Sequence, residues 1–169
     1  TATAGRIYLN RFGVLPGEKI IVATNNDSAY EMTAELAGAG AAVTLLDARS
    51  SVPETLSAAL EGQGVELRTG VAPLKAQGGQ GVRALTLAEA DGSGWRESGT
   101  ENCDLVLVSG GWSPVVNLLS HRGVKPKWDA ENACFLPDDT TEPIVIAGSA
   151  AGIWRTGDCV ASGESAGLR

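Results

Sequence analysis

Three short apolar runs alternate with two stretches of helical periodicity near the start of the chain, and no other feature restricts its folding as much. Residues 19–24 (KIIVAT) form a β-branched run of the kind that is buried on both faces of a parallel sheet. Residues 28–39 then place Ala29, Met32, Leu36 and Ala39 on one helical stripe, with Gly38 and Gly40 as stop signals. A second strand is expected at 43–46, ending at Asp47. A second helix is expected at 53–60, with Pro53 in the first turn, where a missing N–H costs nothing, and Gly62 and Gly64 after its end. Residues 65–69 complete a β-α-β-α-β order with short links, which predicts a parallel sheet.

The pattern then changes. Residues 71–77, 82–89 and 95–102 are strand-like and separated by GGQG and ADGSG, so they predict an antiparallel meander. DLVLV (104–108) is apolar again and is expected to rejoin the parallel sheet. SGGWSP (109–114) reads as a loop, VVNLLSHRG as a short helical piece, and 127–135 as a hairpin. A further buried strand is expected at 144–147 (IVIA), followed by a small-residue turn at 148–152 and a helix beginning near Ser162. The expected fold class is α/β, a three-layer, Rossmann-like parallel sheet with an antiparallel β-meander.

The turn after the first strand, TNNDSA (24–29), stands where dinucleotide-binding folds carry glycines. Those glycines make the tight turn, admit the pyrophosphate to the backbone and let helix and strand pack closely. The corresponding positions here are Thr24, Asn26 and Ala29. Ala29 is acceptable in the third place, whereas Thr24 and Asn26 put side chains where phosphate should sit. Ser28 and Glu31 fit a capping box, which together with Asp27 would occupy the positive end of the helix. Asp47 favours the opposite reading, because an acidic residue at the end of the second strand suits a ribose hydroxyl. Thr24, Asn25, Asn26, Ser28 and Asp47 are therefore the candidate cofactor contacts, and both a working and a self-capped turn remain open.

Composition narrows the function. With 43% hydrophobic and 20% charged residues, the chain has enough apolar material for a core. A net charge of −7 and the lack of any Lys/Arg run argue against a nucleic-acid surface. No apolar stretch approaches the roughly 20 residues of a membrane helix. No signal peptide is apparent, and the start without Met reads as a piece of something larger. Cys103, Cys134 and Cys159 form no CxxC pair, so they are expected to be reduced thiols of a cytoplasmic protein, and no metal site is expected. The single histidine, His121, has no catalytic partner nearby in sequence and reads as a surface residue near a helix end, while Trp112 reads as a packing anchor. No catalytic residue is assigned.

The strings YLNRFGVLPG (8–17), ATNNDSAY (23–30), LLDAR (45–49), VSGGWSPVVNLLS (108–120) and KWD (127–129) together resemble the alpha subunits of heterotetrameric sarcosine oxidases. The alpha subunits of dye-linked amino-acid dehydrogenases are similar. That family in turn looks like the pyridine nucleotide–disulfide oxidoreductases, in which one Rossmann-like domain is inserted into another. The resemblance implies a linker from a parent domain at 1–16, the inserted NAD-domain-like unit at 17–108, and a crossover with partial return to the parent at 109–169. It adds Gly110 and Gly111, in the crossover loop, to the candidate cofactor contacts. IVIAGSAAG (144–152) is similar to a flavin-contacting strand and turn, but Ser149 stands where an Asp is expected, and Asp158 has the wrong spacing to replace it. The resemblance further implies NAD bound mainly outside this chain, FMN between alpha and beta subunits, FAD on the beta subunit, and gamma and delta subunits as further partners. The activity implied is oxidation of sarcosine to glycine, formaldehyde and hydrogen peroxide by the whole complex. An independent NAD-binding domain and a non-catalytic assembly scaffold are the alternatives.

Overall fold

A computed structural model describes residues 1–139 and 143–168. They fall into two compact units, Thr1–Gly111 and Trp112–Arg169. The first is built on a four-stranded parallel sheet in the order β3-β2-β1-β7, from β1 (Lys19–Thr24), β2 (Ala42–Asp47), β3 (Glu66–Thr69) and β7 (Leu105–Ser109). The antiparallel meander β4 (Val71–Gly78), β5 (Val82–Ala90) and β6 (Trp95–Asn102) forms its own three-stranded sheet.

Alternation along β1 divides the core between two faces. Ile20 and Val22 point to one side, where they meet Tyr30, Met32 and Leu36 of α2 (Tyr30–Gly38), Leu60 of α3 (Glu54–Leu60) and Ala2 of α1 (Ala2–Phe12). Ile21 points to the other side, with Leu46, against Val71, Leu85 and Leu87 of the meander. The unit is thus a three-layer α/β fold with the parallel sheet in the middle. This explains why the strands read as continuous apolar runs rather than alternating ones. Each fully buried Ile or Leu contributes about 1.5–3 kcal/mol. The meander is also held by charge: the Glu101 carboxylate of β6 accepts from Thr44 Oγ1 of β2 at 3.0 Å and from Arg68 Nη1 of β3 at 2.9 Å.

Residues 1–16, expected as a linker, contain α1. Thr1 caps it by accepting from Ala4 N, and Gly13, in the left-handed region at φ 65°, ends it. The helix carries Gly5 in its interior, an unfavourable residue there. That glycine is there for proximity, since a Cβ on it would lie 2.7 Å from Leu107 Cδ1 of β7. Arg6 ties α1 to α2 through Glu35, at 2.6 and 3.1 Å. At the base of β1, the Asp104 carboxylate accepts from Glu18 N and Lys19 N and so fastens the start of β1 next to the start of β7.

The second unit has the short α4 (Asn117–His121), a hairpin of β8 (Lys127–Asp129) and β9 (Cys134–Leu136), a 3₁₀ turn at Gly148–Ala151, and α5 (Thr156–Gly167). The expected strand at 144–147 is irregular chain without sheet pairing. A strand needs a neighbour's open edge, and among the described residues of this unit only β8 and β9 pair. The terminal helix begins at Thr156, earlier than the expected Ser162.

Leu36→Ala is expected to destabilise the first unit by about 2–5 kcal/mol, through lost burial and the cavity left behind. Leu118→Ala, at a side chain 70% exposed, should change stability by no more than about 0.5 kcal/mol. Urea unfolding of the two variants measures the contrast.

Candidate functional site

The carboxyl ends of β1, β2 and β7 converge on the turn 24–29, the place where open α/β sheets hold ligands. The structure brings together five of the seven candidate residues, Thr24, Asn25, Asn26, Ser28 and Gly111, by short contacts, and strand register sets Asp47 beside Thr24. Asn25 hydrogen-bonds Asn26, whose Nδ2 donates to Asn25 Oδ1 at 2.8 Å. Thr24 is buried, and its hydroxyl donates to Asn26 O at 3.0 Å and accepts from Asn26 N at 3.3 Å. Asn26 Oδ1 accepts from Ser28 N at 3.0 Å, which caps a 3₁₀ turn at Asp27–Ala29. Gly111, at φ 87°, lies against the same amide: a Cβ there would be 2.8 Å from Asn26 Nδ2. Gly110 is exposed and follows Ser109, whose hydroxyl shares a 2.9 Å hydrogen bond with that of Ser28.

The expected capping box does not form. Glu31 pairs with Arg6 at 3.3 Å, Ser28 turns to Ser109, and α2 starts without a side-chain cap. The 3₁₀ turn shifts the helix start to Tyr30, so the Ser28-Glu31 spacing no longer spans an α-helical first turn. Asn26 satisfies the free N–H instead.

Asp47 has no exposed surface. Its carboxylate accepts from Tyr30 Oη at 2.8 Å, from Arg49 N at 2.9 Å, and from Arg49 Nε and Nη2 at 3.1 and 2.8 Å. Arg49 Nη1 reaches on to Asp27 at 2.8 Å. Burial, with the Asp47 hydrogen bond adding to it, holds the Tyr30 phenol far above the ordinary tyrosine value. Hydrogen bonding to Asp47, then to Asp27, raises the Arg49 guanidinium further. Tyr30, Arg49 and Ser109 were not among the candidates. The D-x-R spacing at 47–49, which lets an arginine fold back on the strand-ending carboxylate, was the available signal for one of them.

A dinucleotide does not fit these residues. The Thr24 and Asn26 side chains, where glycines would leave the backbone open, are engaged within the turn, and the carboxylate that would take a ribose hydroxyl already accepts from a phenol and an arginine. His121, Ser149 and Asp158 are exposed and belong to the second unit, and Trp112 is 55% exposed rather than packed. The three cysteines are free, and burial pushes the Cys103 and Cys134 thiols up, away from reactive thiolate. Among the described residues no group of three His, Cys, Asp or Glu side chains could hold a metal, and no helix is long and apolar enough to cross a membrane.

Residues 12–167 match the family model for pyridine nucleotide-disulphide oxidoreductases. The chain belongs to that family. It is 35% identical over 98% of its length to the sarcosine oxidase subunit alpha of Corynebacterium sp. (strain P-1), and 34% identical over 97% to that of Rhizobium meliloti (strain 1021). It spans only 17% and 16% of the length of these relatives. Among solved structures it is similar to Lactococcus lactis thioredoxin reductase, with a TM-score of 0.66 and 20% identity over 88% of this chain and 50% of that one. At that identity the likeness establishes a Rossmann-like fold and nothing about ligands.

Tyr30→Phe should cost about 1–3 kcal/mol, because it leaves a buried acceptor short of one donor. Since the folded phenol titrates above the unfolded one, its contribution is complete below about pH 10 and declines as pH rises beyond that. Urea midpoints of the chain and of Tyr30→Phe are therefore expected to converge at strongly alkaline pH. Arg49→Ala should cost more, about 3–5 kcal/mol at neutral pH, by stranding the buried Asp47 carboxylate.

Proposed function

We propose that this chain is part of the alpha subunit of a sarcosine-oxidase-like complex. Its role there is that of a Rossmann-like cofactor-associated and assembly module, and it is not catalytic alone. The observation that carries the reading is identity of about one residue in three, across nearly the whole chain, to proteins named sarcosine oxidase subunit alpha. In this reading the complex consumes sarcosine, dioxygen and water and releases glycine, formaldehyde and hydrogen peroxide. Oxidation of the CH–NH bond belongs to a beta-type subunit carrying FAD. FMN lies between that subunit and the alpha subunit, NAD is held mainly outside this chain, and gamma and delta subunits complete a cytoplasmic heterotetramer. Hydride chemistry belongs to such cofactors, and a Rossmann-like module supplies position and contact surface.

The domain reading follows the same line. Residues 17–108 are the inserted unit, and 109–169 lead back toward the parent domain. An independent NAD-binding domain is the competing reading, favoured only by the position of Asp47 at the end of β2. The thorough engagement of that carboxylate favours the module.

Expression of the complete alpha subunit with and without its partner subunits tests the proposal. Peroxide and formaldehyde release from sarcosine is expected only from the assembled complex. Turnover by this chain alone, or an assembled complex that leaves sarcosine and other secondary amines untouched, would contradict it.

A further inference from the structure

We infer that the turn after β1 is a latch rather than a coenzyme seat: the side chains that fill the dinucleotide position tie down the segment that leaves β7. Three contacts act together. The Asn26 amide, fixed by Ser28 N and Asn25, packs on Gly111 so tightly that a methyl group on that glycine would overlap it. The Ser28 hydroxyl bonds that of Ser109 across 81 residues of sequence. Arg49 spans Asp47 and Asp27, which braces the start of the 3₁₀ turn against the end of β2.

The chemistry of each contact disfavours a dinucleotide and favours the latch. A pyrophosphate needs free N–H groups, but here the Ser28 N–H is taken by Asn26, and the Asp27 carboxylate of the same turn is held by Arg49. A ribose diol needs an acceptor with spare lone pairs, but both Asp47 oxygens already accept from Tyr30 and Arg49. To admit the coenzyme, the chain would have to break the Tyr30–Asp47 bond, swing out Arg49 and release Gly111 in one step. The same contacts hold residues 109–111 at the carboxyl end of the sheet, where the first unit ends.

The inference rests on membership of the reductase family and not on sarcosine chemistry, so a complex that oxidised a different amine would leave it standing. Hydrogen–deuterium exchange on the complete subunit tests it, read in peptides covering 22–31, 44–50 and 107–112. With a millimolar excess of NAD, NADP or ADP, exchange in all three peptides is expected to be unchanged, whatever happens elsewhere in the subunit. Gly111→Ala is expected to raise exchange in 22–31 as well as in 107–112. Ser28→Ala, which removes only a hydroxyl, is expected to raise it in 107–112 by a smaller factor. Nucleotide-dependent protection of 22–31 that is lost in Asp47→Asn would overturn the inference. So would unchanged exchange of 107–112 in Ser28→Ala together with effects of Gly111→Ala confined to its own peptide.

Discussion

A carboxylate without solvent exposure, Asp47, sits at the end of a central strand and dictates how its neighbours are arranged. Burying such a charge unpaired would cost several kcal/mol, so the surroundings must supply donors. Tyr30 supplies one from the first turn of α2 and Arg49 supplies the rest from the β2–α3 link. Because Arg49 also reaches Asp27, the strand end, the helix start and the intervening turn become one hydrogen-bonded unit. Had Asp47 been left free for a ligand, both Tyr30 and Arg49 would have needed other partners.

The remainder of the first unit places that network. Burial on both faces of the parallel sheet fixes the register of β1 against β2 and β7, since a slip of one residue would exchange Ile20 and Val22 with Ile21 between two different cores. Register in turn aligns Thr24 with Asp47 and Ser109. The Ser28–Ser109 bond and the contact of Asn26 with Gly111 follow from that alignment. Family membership and local chemistry therefore point in different directions at this turn: the chain belongs to the pyridine nucleotide-disulphide oxidoreductases, while the side chains of the turn bond one another.

Most strands were legible, 19–24 as a β-branched apolar run and 71–77 and 95–102 as strand-like stretches set off by the glycine-rich links GGQG and ADGSG. The misses have physical causes. The N-terminal helix carries Gly5, whose reason lies in the close approach of Leu107, a contact far off in sequence. The run at 144–147 has strand composition, but composition cannot supply a pairing partner. At the site, the replacement of glycines by Thr24 and Asn26 was visible directly. The S-x-x-E spacing suggested a cap that the 3₁₀ turn forestalls, and the partners of Asp47 emerged only once β2 and α2 lay side by side. Ser109 could not be found at all from sequence, since it meets Ser28 only through the β1–β7 pairing.

The most direct measurement is a crystal structure of the complete subunit grown in saturating NAD. The account predicts Asp47 still bonded to Tyr30 and Arg49, the Asn26 amide still against Gly111, and any coenzyme density elsewhere. Pyrophosphate density against residues 25–28, with Arg49 displaced from Asp47, would contradict it.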